Sequence, residues 1–572
     1  MTEKTTKGFT GKKKALIAAA AGGCAVWLAL SGIGQGRKEK ELCPEEADSR
    51  NESSVSSENA GPVTEEKRIA TPETTTMSET TPVSKATEPS QRNEARIPKS
   101  DFFEQIVQNI WGKECGAVSG EEYAQLTSIQ ISQAEKSVSF QLNHGVVQTM
   151  MYGEDCEMAL SDLASFPGLE WISVDGTLEP GNLDGLENLF GVYAQNTLEE
   201  LAGCLPCPEK ITELGVEEDG HKKDLEGIGA FPNLQYFSVA NPDLEDISAL
   251  CAYPDLEGLM IERGDALQDY SPLEHLTKLK WLKINSGQLK DADFLVRMPE
   301  LTSLRIAGSK MTDLETLRAC GKLTFLALEN NPDMTDYSVV GQMYNLEELV
   351  LETAHGIELP SFKGLASLER LSLKGADDLS PLREATGVIL LSLEDCPNPD
   401  PEAIAALEEL EVLQVKGRAS GEDVLRLPDD MFGVTELALE GITVEERAEE
   451  LFRIPTLHSL TLDDCRIHLD PESLSVNESL EVLSMNRITV YCPSEDGGEM
   501  KMTEYDKIFG CLPNLRELYA ESLRLEDIAF VEKLPHLQHL DIRDNPVGSL
   551  KPLRNLTEIK TVWYENGTIL FP

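Results

Sequence analysis

The sequence predicts an α/β solenoid, a stack of repeated units with a curved parallel sheet on the inside and short helices on the outside. The first observation is a series of apolar triplets with the spacing L-x-x-L-x-L, which return every 20 to 24 residues. A fixed period of that length is typical of a solenoid. The second observation is a looser apolar set behind the triplets, such as Leu244, Ile247 and Leu250. That set predicts short 3₁₀ or one-turn α-helices on the outer side.

The N-terminus predicts a membrane anchor. Residues 1–14 are basic, with five lysines, and residues 15–34 form an uninterrupted run of apolar or small residues. Twenty helical residues span about 30 Å, the thickness of a bilayer core. The lysines favour a cytoplasmic arm and an extracytoplasmic C-terminal domain. A cleaved signal peptide, with Ala29 and Ser31 near the cut, is the competing interpretation. A lipoprotein signal at Cys24 is a weaker one. The anchor and the cleaved signal both place the repeats outside the cytoplasmic membrane.

Between the anchor and the repeats, two segments differ sharply in composition. Residues 35–100 are rich in Ser, Thr, Glu and Pro and have almost no large apolar residues. This composition predicts a disordered stalk. In residues 101–125, Phe102, Ile106 and Ile110 share one helical face. We expect this segment to be an N-terminal cap, because the open end of a solenoid would otherwise expose its core.

The repeats are predicted for residues 126–572. In each triplet the fourth and sixth positions of the unit point inward from a short strand, because side chains alternate along a strand. Between Leu480 and Leu515 the interval grows to 35 residues, which predicts an insertion near residues 490–505. The triplets begin at Leu126, Val147, Leu169, Leu189, Ile211, Leu234, Leu256, Leu279, Leu301, Leu323, Leu346, Leu368, Val388, Leu410, Val434, Leu457, Leu480, Leu515, Leu537 and Ile559.

These triplets, with Asn331, Asn545, Cys396 and Cys465 at the turn that follows the strand, resemble the bacterial 22-residue leucine-rich repeat family of internalin type. The resemblance implies a leucine-rich repeat solenoid, and it implies host or envelope proteins as partners without choosing between them. The chain departs from the family pattern because several units lack the Asn. The units between Gly145 and Leu225 are also irregular.

Charge excludes one class of ligand. The chain has 50 Lys and Arg against 100 Asp and Glu, a net charge of −50. Nucleic-acid binding relies on Lys and Arg against phosphate, so we expect no nucleic-acid partner. The acidity is typical of a soluble exposed surface, and attraction to a basic partner or to Ca²⁺ is the alternative. No stretch has the 12-residue Ca²⁺ loop, so we expect no metal site.

The sequence has no pattern that predicts catalysis, a cofactor or a bound metal. Most of the 12 cysteines are predicted to be small buried residues; Cys251, Cys320 and Cys511 precede strands, where the outer-side core lies. The pair Cys204 and Cys207 has redox-motif spacing, which is compatible with a local disulfide or with a thiol redox module. A bridge between Cys115 and Cys156 is a separate possibility that the sequence leaves open. His536 and His539 are expected to be an exposed pair. We therefore expect a protein that is not an enzyme.

The register predicts a binding surface. The third and fifth positions of each unit point out from the concave sheet, and aromatic residues and Arg are enriched at binding hot spots. Scattered exposed apolar residues are also normal on protein surfaces. The insertion is a second candidate, since insertions often lie on a solenoid's binding face. The partner-binding candidates are Trp171, Tyr193, Tyr236, Met260, Trp281, Lys283, Arg305, Phe325, Val350 and Arg370.

The sequence thus predicts a membrane-tethered, extracytoplasmic protein that binds a protein partner through its concave face. A structural spacer or scaffold in the cell envelope is the alternative, and a redox module around Cys204 and Cys207 is a more remote one.

Overall fold

The computed structural model describes residues 96–571, apart from 154–155, 218–221, 354–355, 357, 398, 419–422, 429–430, 432, 494–497, 503–504 and 566. The predicted arm at 1–14, the anchor at 15–34 and the stalk up to residue 95 lie outside the described residues. Within the described part of the chain, no helix is both long enough and apolar enough to cross a bilayer.

The leucine triplets form the strands of one long sheet. Most strands have five residues, because the alternation of the ladder lasts from the third to the seventh position of each unit and ends where the chain turns. The strands of this main sheet are β1 (Leu126–Ser132), β2 (Ser137–Leu142), β3 (Gln148–Met151), β4 (Trp171–Val174), β5 (Gly191–Ala194), β6 (Glu213–Glu217), β7 (Tyr236–Ala240), β8 (Gly258–Glu262), β9 (Trp281–Asn285), β10 (Ser303–Ala307), β11 (Phe325–Glu329), β12 (Glu348–Glu352), β13 (Arg370–Lys374), β14 (Leu390–Glu394), β15 (Val412–Lys416), β16 (Glu436–Glu440), β18 (Ser459–Asp463), β20 (Val482–Ser484), β23 (Glu517–Tyr519), β24 (His539–Asp541), β25 (Thr561–Tyr564) and β26 (Gly567–Leu570).

Consecutive repeat strands pair in parallel without a shift in register. Leu304 on β10, for example, is paired with Leu282 on β9 and with Leu326 on β11. Each unit therefore buries its apolar face against its two neighbours, as the solenoid prediction requires. Apart from the triplet that begins at Val147, the ladder residues are buried from Leu126 to Val562 and form one continuous core. Both the fold class and the parallel sheet predicted from the triplets are confirmed.

The two ends of the main sheet are antiparallel, which the ladder does not predict. β2 and β3 pair antiparallel beyond β1, and β26 pairs antiparallel with β25. The triplet that begins at Val147 is therefore wrong as a repeat strand. Val147 and Met151 are exposed at the sheet edge, because β3 has no parallel partner that would cover them.

Short helices form the second layer. The α-helices are α1 (Asp101–Trp111), α2 (Gly120–Tyr123), α3 (Leu198–Cys204), α4 (Pro401–Ala405) and α5 (Asp506–Phe509). The 3₁₀-helices are Cys115–Ala117, Leu160–Ser165, Pro208–Lys210, Ile228–Ala230, Ser248–Ala252, Ser271–His275, Asp293–Arg297, Glu315–Ala319, Ser338–Gln342, Ser380–Glu384, Ala448–Phe452, Pro471–Ser473, Ala529–Lys533 and Lys551–Asn555.

A recurring local device begins these 3₁₀-helices. An Asp side chain accepts a hydrogen bond from the backbone N–H two residues later: Asp269 from Ser271 at 2.9 Å and Asp336 from Ser338 at 2.8 Å. Asp378 accepts from Ser380 in the same way at 2.8 Å. Ser and Asp favour such turns because their short polar side chains satisfy nearby backbone groups.

The turn after the strand is held by buried polar side chains. Asn545 accepts a hydrogen bond from the backbone N–H of Leu525 at 3.0 Å and donates to the carbonyl oxygen of Ala520 at 2.7 Å. Asn331 acts in the same way between Ser309 and Ile306. These contacts satisfy backbone groups that the turn would otherwise leave buried and unpaired.

The insertion lies in a second, smaller sheet beside the main one. Its strands are β17 (Thr443–Val444), β19 (Arg466–His468), β21 (Thr489–Pro493) and β22 (Glu499–Lys501). The first three pair in parallel, and β22 folds back antiparallel on β21. The extra residues of the long interval therefore form a hairpin that extends this small sheet.

Candidate functional site

The predicted binding residues share one surface of the main sheet, the side that points away from the core and from the short helices. This surface consists of the third and fifth positions of the units on β4 to β13 and is here called the outer face. Because consecutive strands are in register, equal positions of neighbouring units lie side by side. The structure therefore brings all ten predicted residues onto a single face. Their burial differs widely, and two unanticipated features explain the difference: glycines and carboxylates at the neighbouring positions.

Aromatic rings of the outer face lie across glycines on the next strand. Trp171 is paired with Gly191, and a Cβ on that glycine would fall inside van der Waals contact with the indole ring. Tyr193 is paired with Gly215 in the same way, and its phenol ring occupies the space of the missing Cβ. The two rings are 5.6 Å apart between centroids and tilted by 43°. The rings therefore lie along the sheet.

Three candidates are more buried than their outward position predicts. Trp171 and Tyr193 are each only 8% exposed, because the glycines let the rings settle on the backbone. Met260 is 4% exposed. All three belong to the outer face, but they form its buried layer, here called the floor of the outer face. Tyr236 repeats the aromatic-over-glycine pattern with Gly258 and remains half-buried.

The accessible apolar part of the outer face lies further along the sheet. Trp281 and Phe325 occupy the third position on β9 and β11, two strands apart, with Ser303 between them. Both rings are half-buried, as is Val350 on β12. Half-buried aromatic rings keep part of their surface accessible to a partner, as interface anchors do.

The basic residues of the outer face do not form a positive patch. Lys283 contacts Glu262, and Arg305 contacts Glu329 through a bond of 2.7 Å from Nη2 to Oε1. Lys283 is only 7% exposed as a result of its packing. Lys283 and Arg305 therefore add little net positive charge to the face, because each has a carboxylate beside it.

The same neutralisation continues on later strands. Arg370 is exposed and donates from Nε to Glu348 at 2.6 Å. Lys374 lies between Glu352 and Glu394, at 3.5 and 3.4 Å. Such pairs contribute little stability on an exposed surface, but they hold long side chains in place across the strands.

Glu213 is a part of the outer face that sequence reasoning missed. It occupies the third position on β6, between Gly191 and Tyr236 in the register. Burial raises the pKa of this carboxyl group, and the Trp171 side chain partly offsets the rise. The sequence does contain a signal: Trp171, Tyr193 and Tyr236 are each followed, 20 to 22 residues later, by a glycine at the same unit position. Such an aromatic–glycine pair predicts a ring that packs flat on the neighbouring strand, and the three pairs lie on the strands around Glu213.

A second aromatic group lies at the C-terminal end of the same sheet. The Trp563 ring stacks with Tyr519 at 6.5 Å and with His539 at 6.2 Å between centroids. His536 contacts Glu558 at 3.1 Å. The two histidines expected to form an exposed pair therefore have separate partners, because neighbouring strands supply a ring for one and a carboxylate for the other.

The insertion hairpin carries its own contacts. The imidazole of His468 stacks on Tyr491 at 5.0 Å and lies 2.8 Å from the Glu499 carboxylate. Lys501 is 5.9 Å from the Tyr491 ring centroid. These contacts tie β22 to the small sheet, beside and not on the outer face of the main sheet.

The ten cysteines that the structure describes are free thiols. Cys204 is buried and its thiol contacts the carbonyl oxygen of Leu178 at 3.4 Å. Cys320, Cys396 and Cys465 are buried as predicted. Cys251 is exposed instead of lying in the outer-side core, because its 3₁₀-helix turns that position to solvent.

The described residues offer no arrangement of three or more His, Cys, Asp or Glu side chains that could hold a metal ion. The outer face presents aromatic rings, small residues and carboxylates.

This is the leucine-rich repeat fold. The assignment rests on the period of the ladder, the parallel in-register strands and the short outer helices. No protein-family model matches the chain. Over 96 residues the chain is 36% identical to leucine-rich repeat-containing protein 23 of Bos taurus. That match covers 16% of this chain and spans 26% of the relative's length.

Solved leucine-rich repeat structures resemble this chain at low identity. An internalin of Listeria monocytogenes is 18% identical over 62% of this chain and 87% of its own, with a TM-score of 0.35. A leucine-rich repeat protein of Leptospira interrogans is 20% identical over 70% and 91%, with a TM-score of 0.38. The Toll–Spatzle complex of Drosophila is 11% identical over 73% and 58%, with a TM-score of 0.41.

Proposed function

We propose that this chain binds a protein partner through the outer face of its main sheet, in the extracytoplasmic space. The observation that carries the proposal is the row of accessible rings formed by Tyr236, Trp281 and Phe325. Aromatic side chains bury large areas at little entropic cost, and they dominate the energetics of protein interfaces. The surrounding ion pairs form a polar rim for that row.

The proposed location follows from the N-terminal sequence. Residues 15–34 are long enough to span a bilayer, and the lysines before them favour a cytoplasmic N-terminus. An uncleaved segment makes the chain a single-pass membrane protein, whereas cleavage makes it a secreted one. Both outcomes leave the outer face available to a partner outside the cytoplasm.

The test is affinity capture and binding by the purified full-length chain. Trp281→Ala and Tyr236→Ala are expected to weaken a saturable interaction at least tenfold, since truncation of an interface anchor costs about 2 kcal/mol or more. Val412→Ala is the matched control, because Val412 is also a half-buried third-position residue on the sheet. Thermal melting of each variant checks the fold. Unchanged affinity of both aromatic variants overturns the proposal. A full search that yields no saturable partner favours a spacer in the cell envelope.

A further inference from the structure

Glu213 has aromatic residues on the neighbouring strands of the outer face. Trp171 lies across Gly191, the residue that separates it from Glu213 in the register. Tyr236 is the direct neighbour of Glu213 on the other side. The Glu213 carboxylate contributes to the raised pKa of Tyr193 after the larger effect of burial. Two rings, Trp171 and Tyr193, thus lie toward one carboxylate. Tyr236 borders it on the other side, with its ring over Gly258 and its hydroxyl near Glu257.

The carboxylate differs from its neighbours in lacking a cation. Glu348 on the same face contacts an Arg. Glu262 and Glu329, at the adjacent seventh position of their units, contact a Lys and an Arg. No basic side chain of the described residues contacts Glu213. The indole N–H of Trp171 is buried and has no hydrogen-bond partner of normal geometry there. Glu213 is therefore a partly desolvated carboxyl group without the counter-charge that the rest of the face supplies.

A desolvated carboxylate of this kind raises the free energy of the folded protein unless a cation lies beside it. A buried carboxylate without a partner is destabilised relative to water, and aromatic faces attract cations through the ring quadrupole. A carboxylate flanked by rings offers both forms of attraction at one point. The site remains reachable, because Glu213 and Tyr236 are only half-buried. The chain's net charge of −50 adds a long-range attraction for a basic partner.

We propose that Glu213, with Trp171, Tyr193 and Tyr236, forms a subsite that receives a basic side chain, Lys or Arg, from a protein partner. The inference rests on the proposed function, since it names the chemistry with which the outer face recognises that partner. The cation contacts the Glu213 carboxylate, and its aliphatic stem or guanidinium plane lies against the rings. An uncharged side chain of equal length lacks the charge that the site is built to receive.

The probe is N-acetyl-arginine amide or N-acetyl-lysine amide, with N-acetyl-citrulline amide as the neutral match for arginine. The chain has five tryptophans, so ¹⁵N labelling of the indoles of the full-length protein gives a small set of NMR signals. Trp171→Phe identifies the Trp171 signal. We expect the two cationic probes to shift that signal saturably, and citrulline amide to leave it unchanged.

Two variants decide which residue is responsible. Glu213→Gln keeps the size of the side chain and removes its charge; it is expected to weaken binding of the cationic probes about tenfold or more. Glu436→Gln is the matched control, because Glu436 is an exposed third-position residue on β16 without aromatic neighbours in its register. It is expected to leave the Trp171 shift unchanged. Thermal melting confirms that both variants are folded.

Three results overturn the inference: no saturable Trp171 shift with either cation, an equal shift with citrulline amide, or binding that survives Glu213→Gln. These results are separable from failure of the proposed function. A partner that is lost with Trp281→Ala yet binds Glu213→Gln with full affinity supports the proposed function and rejects the basic-side-chain subsite.

Discussion

Tyr193 and Gly215 are register partners on β5 and β6, and the phenol ring of Tyr193 fills the space where a Cβ of residue 215 would lie. A tyrosine at the fifth position would otherwise stand away from the sheet. The glycine on the next strand lets it lie flat, which leaves the residue only 8% exposed. The same relationship joins Trp171 to Gly191, so the floor of the outer face is set by pairs of residues about 20 positions apart.

The glycine partner is directly testable. Gly215→Ala places a methyl group against the Tyr193 ring and is expected to lower the free energy of unfolding by about 1–3 kcal/mol, the usual effect of overpacking. Ser238→Ala, the next fifth-position residue along the sheet, is the control and should change it little. Chemical denaturation followed by circular dichroism measures both. Equal effects of the two substitutions would contradict the close approach.

The buried turn asparagines are expected to be essential to the stack. Asn545→Ala removes a side chain that pairs the Leu525 N–H and the Ala520 carbonyl. Leaving these buried groups unpaired is expected to cost about 1–3 kcal/mol for each group that water cannot reach. Asn555→Ala, which removes only an exposed contact with Glu532, is the matched control. Thermal melting of the two variants gives the comparison, and similar melting temperatures would refute the role of Asn545.

Acid sensitivity follows from the aspartates that begin the 3₁₀-helices. Hydrogen bonds from Ser271 lower the pKa of Asp269, and the backbone N–H and hydroxyl of Ser338 lower that of Asp336. Ser380 acts in the same way on the pKa of Asp378. A pKa lowered in the folded state contributes stability that is present above the unfolded value of about 3.9 and is lost as the pH falls through the lowered value.

The melting temperature is therefore expected to begin to fall at about pH 4 and to keep falling as the pH drops through the lowered pKa values. A triple Asp→Asn variant at positions 269, 336 and 378 should melt earlier than the parent at neutral pH and show a shallower fall in acid. The variant loses the charged acceptor whose protonation causes the fall. Parallel pH profiles of variant and parent would show that these aspartates do not contribute.

Thiol reactivity should separate buried from exposed cysteines. Burial raises the pKa of Cys465 from 9.0 to about 12 and that of Cys396 to about 11. At pH 8 a pKa raised by three units lowers the thiolate fraction about a thousandfold. Iodoacetamide is expected to modify exposed Cys251 rapidly and Cys465 only after unfolding, as measured by mass spectrometry of digests. Equal modification rates in the folded protein would contradict the burial of Cys465.

Much of the fold could be predicted from sequence because the solenoid is nearly one-dimensional. Each unit contacts its neighbours, so period and alternation alone place Leu282, Leu304 and Leu326 side by side. The ends could not be predicted in this way. Val147 matches the triplet spacing, but at an open end no neighbouring unit enforces a parallel strand, and an antiparallel hairpin satisfies the backbone instead.

The sequence predicts which residues share the outer face, but not how deeply each is buried or which side chain it contacts. Alternation assigns Trp281 and Arg305 to the outer face, because the side-chain period of a strand is two. Alternation does not predict which side chain of the next strand each of these residues contacts. The Glu329 carboxylate that pairs with Arg305 belongs to the seventh position of the following unit, and such diagonal contacts depend on side-chain conformation in three dimensions.

The sequence by itself determined that this chain is a stack of repeats, which residues form its core and which face of the sheet is outward, because a fixed period imposes a fixed register. The tertiary structure alone decided which outward residues are accessible. Trp171 and Trp281 occupy the same position in their units, yet Trp171 lies over a glycine and is buried, whereas Trp281 has Ser303 beside it and stays half-exposed. The physical reason is that the exposure of an outward ring depends on how it packs against the side chains of both neighbouring strands, which the period of the repeat does not specify.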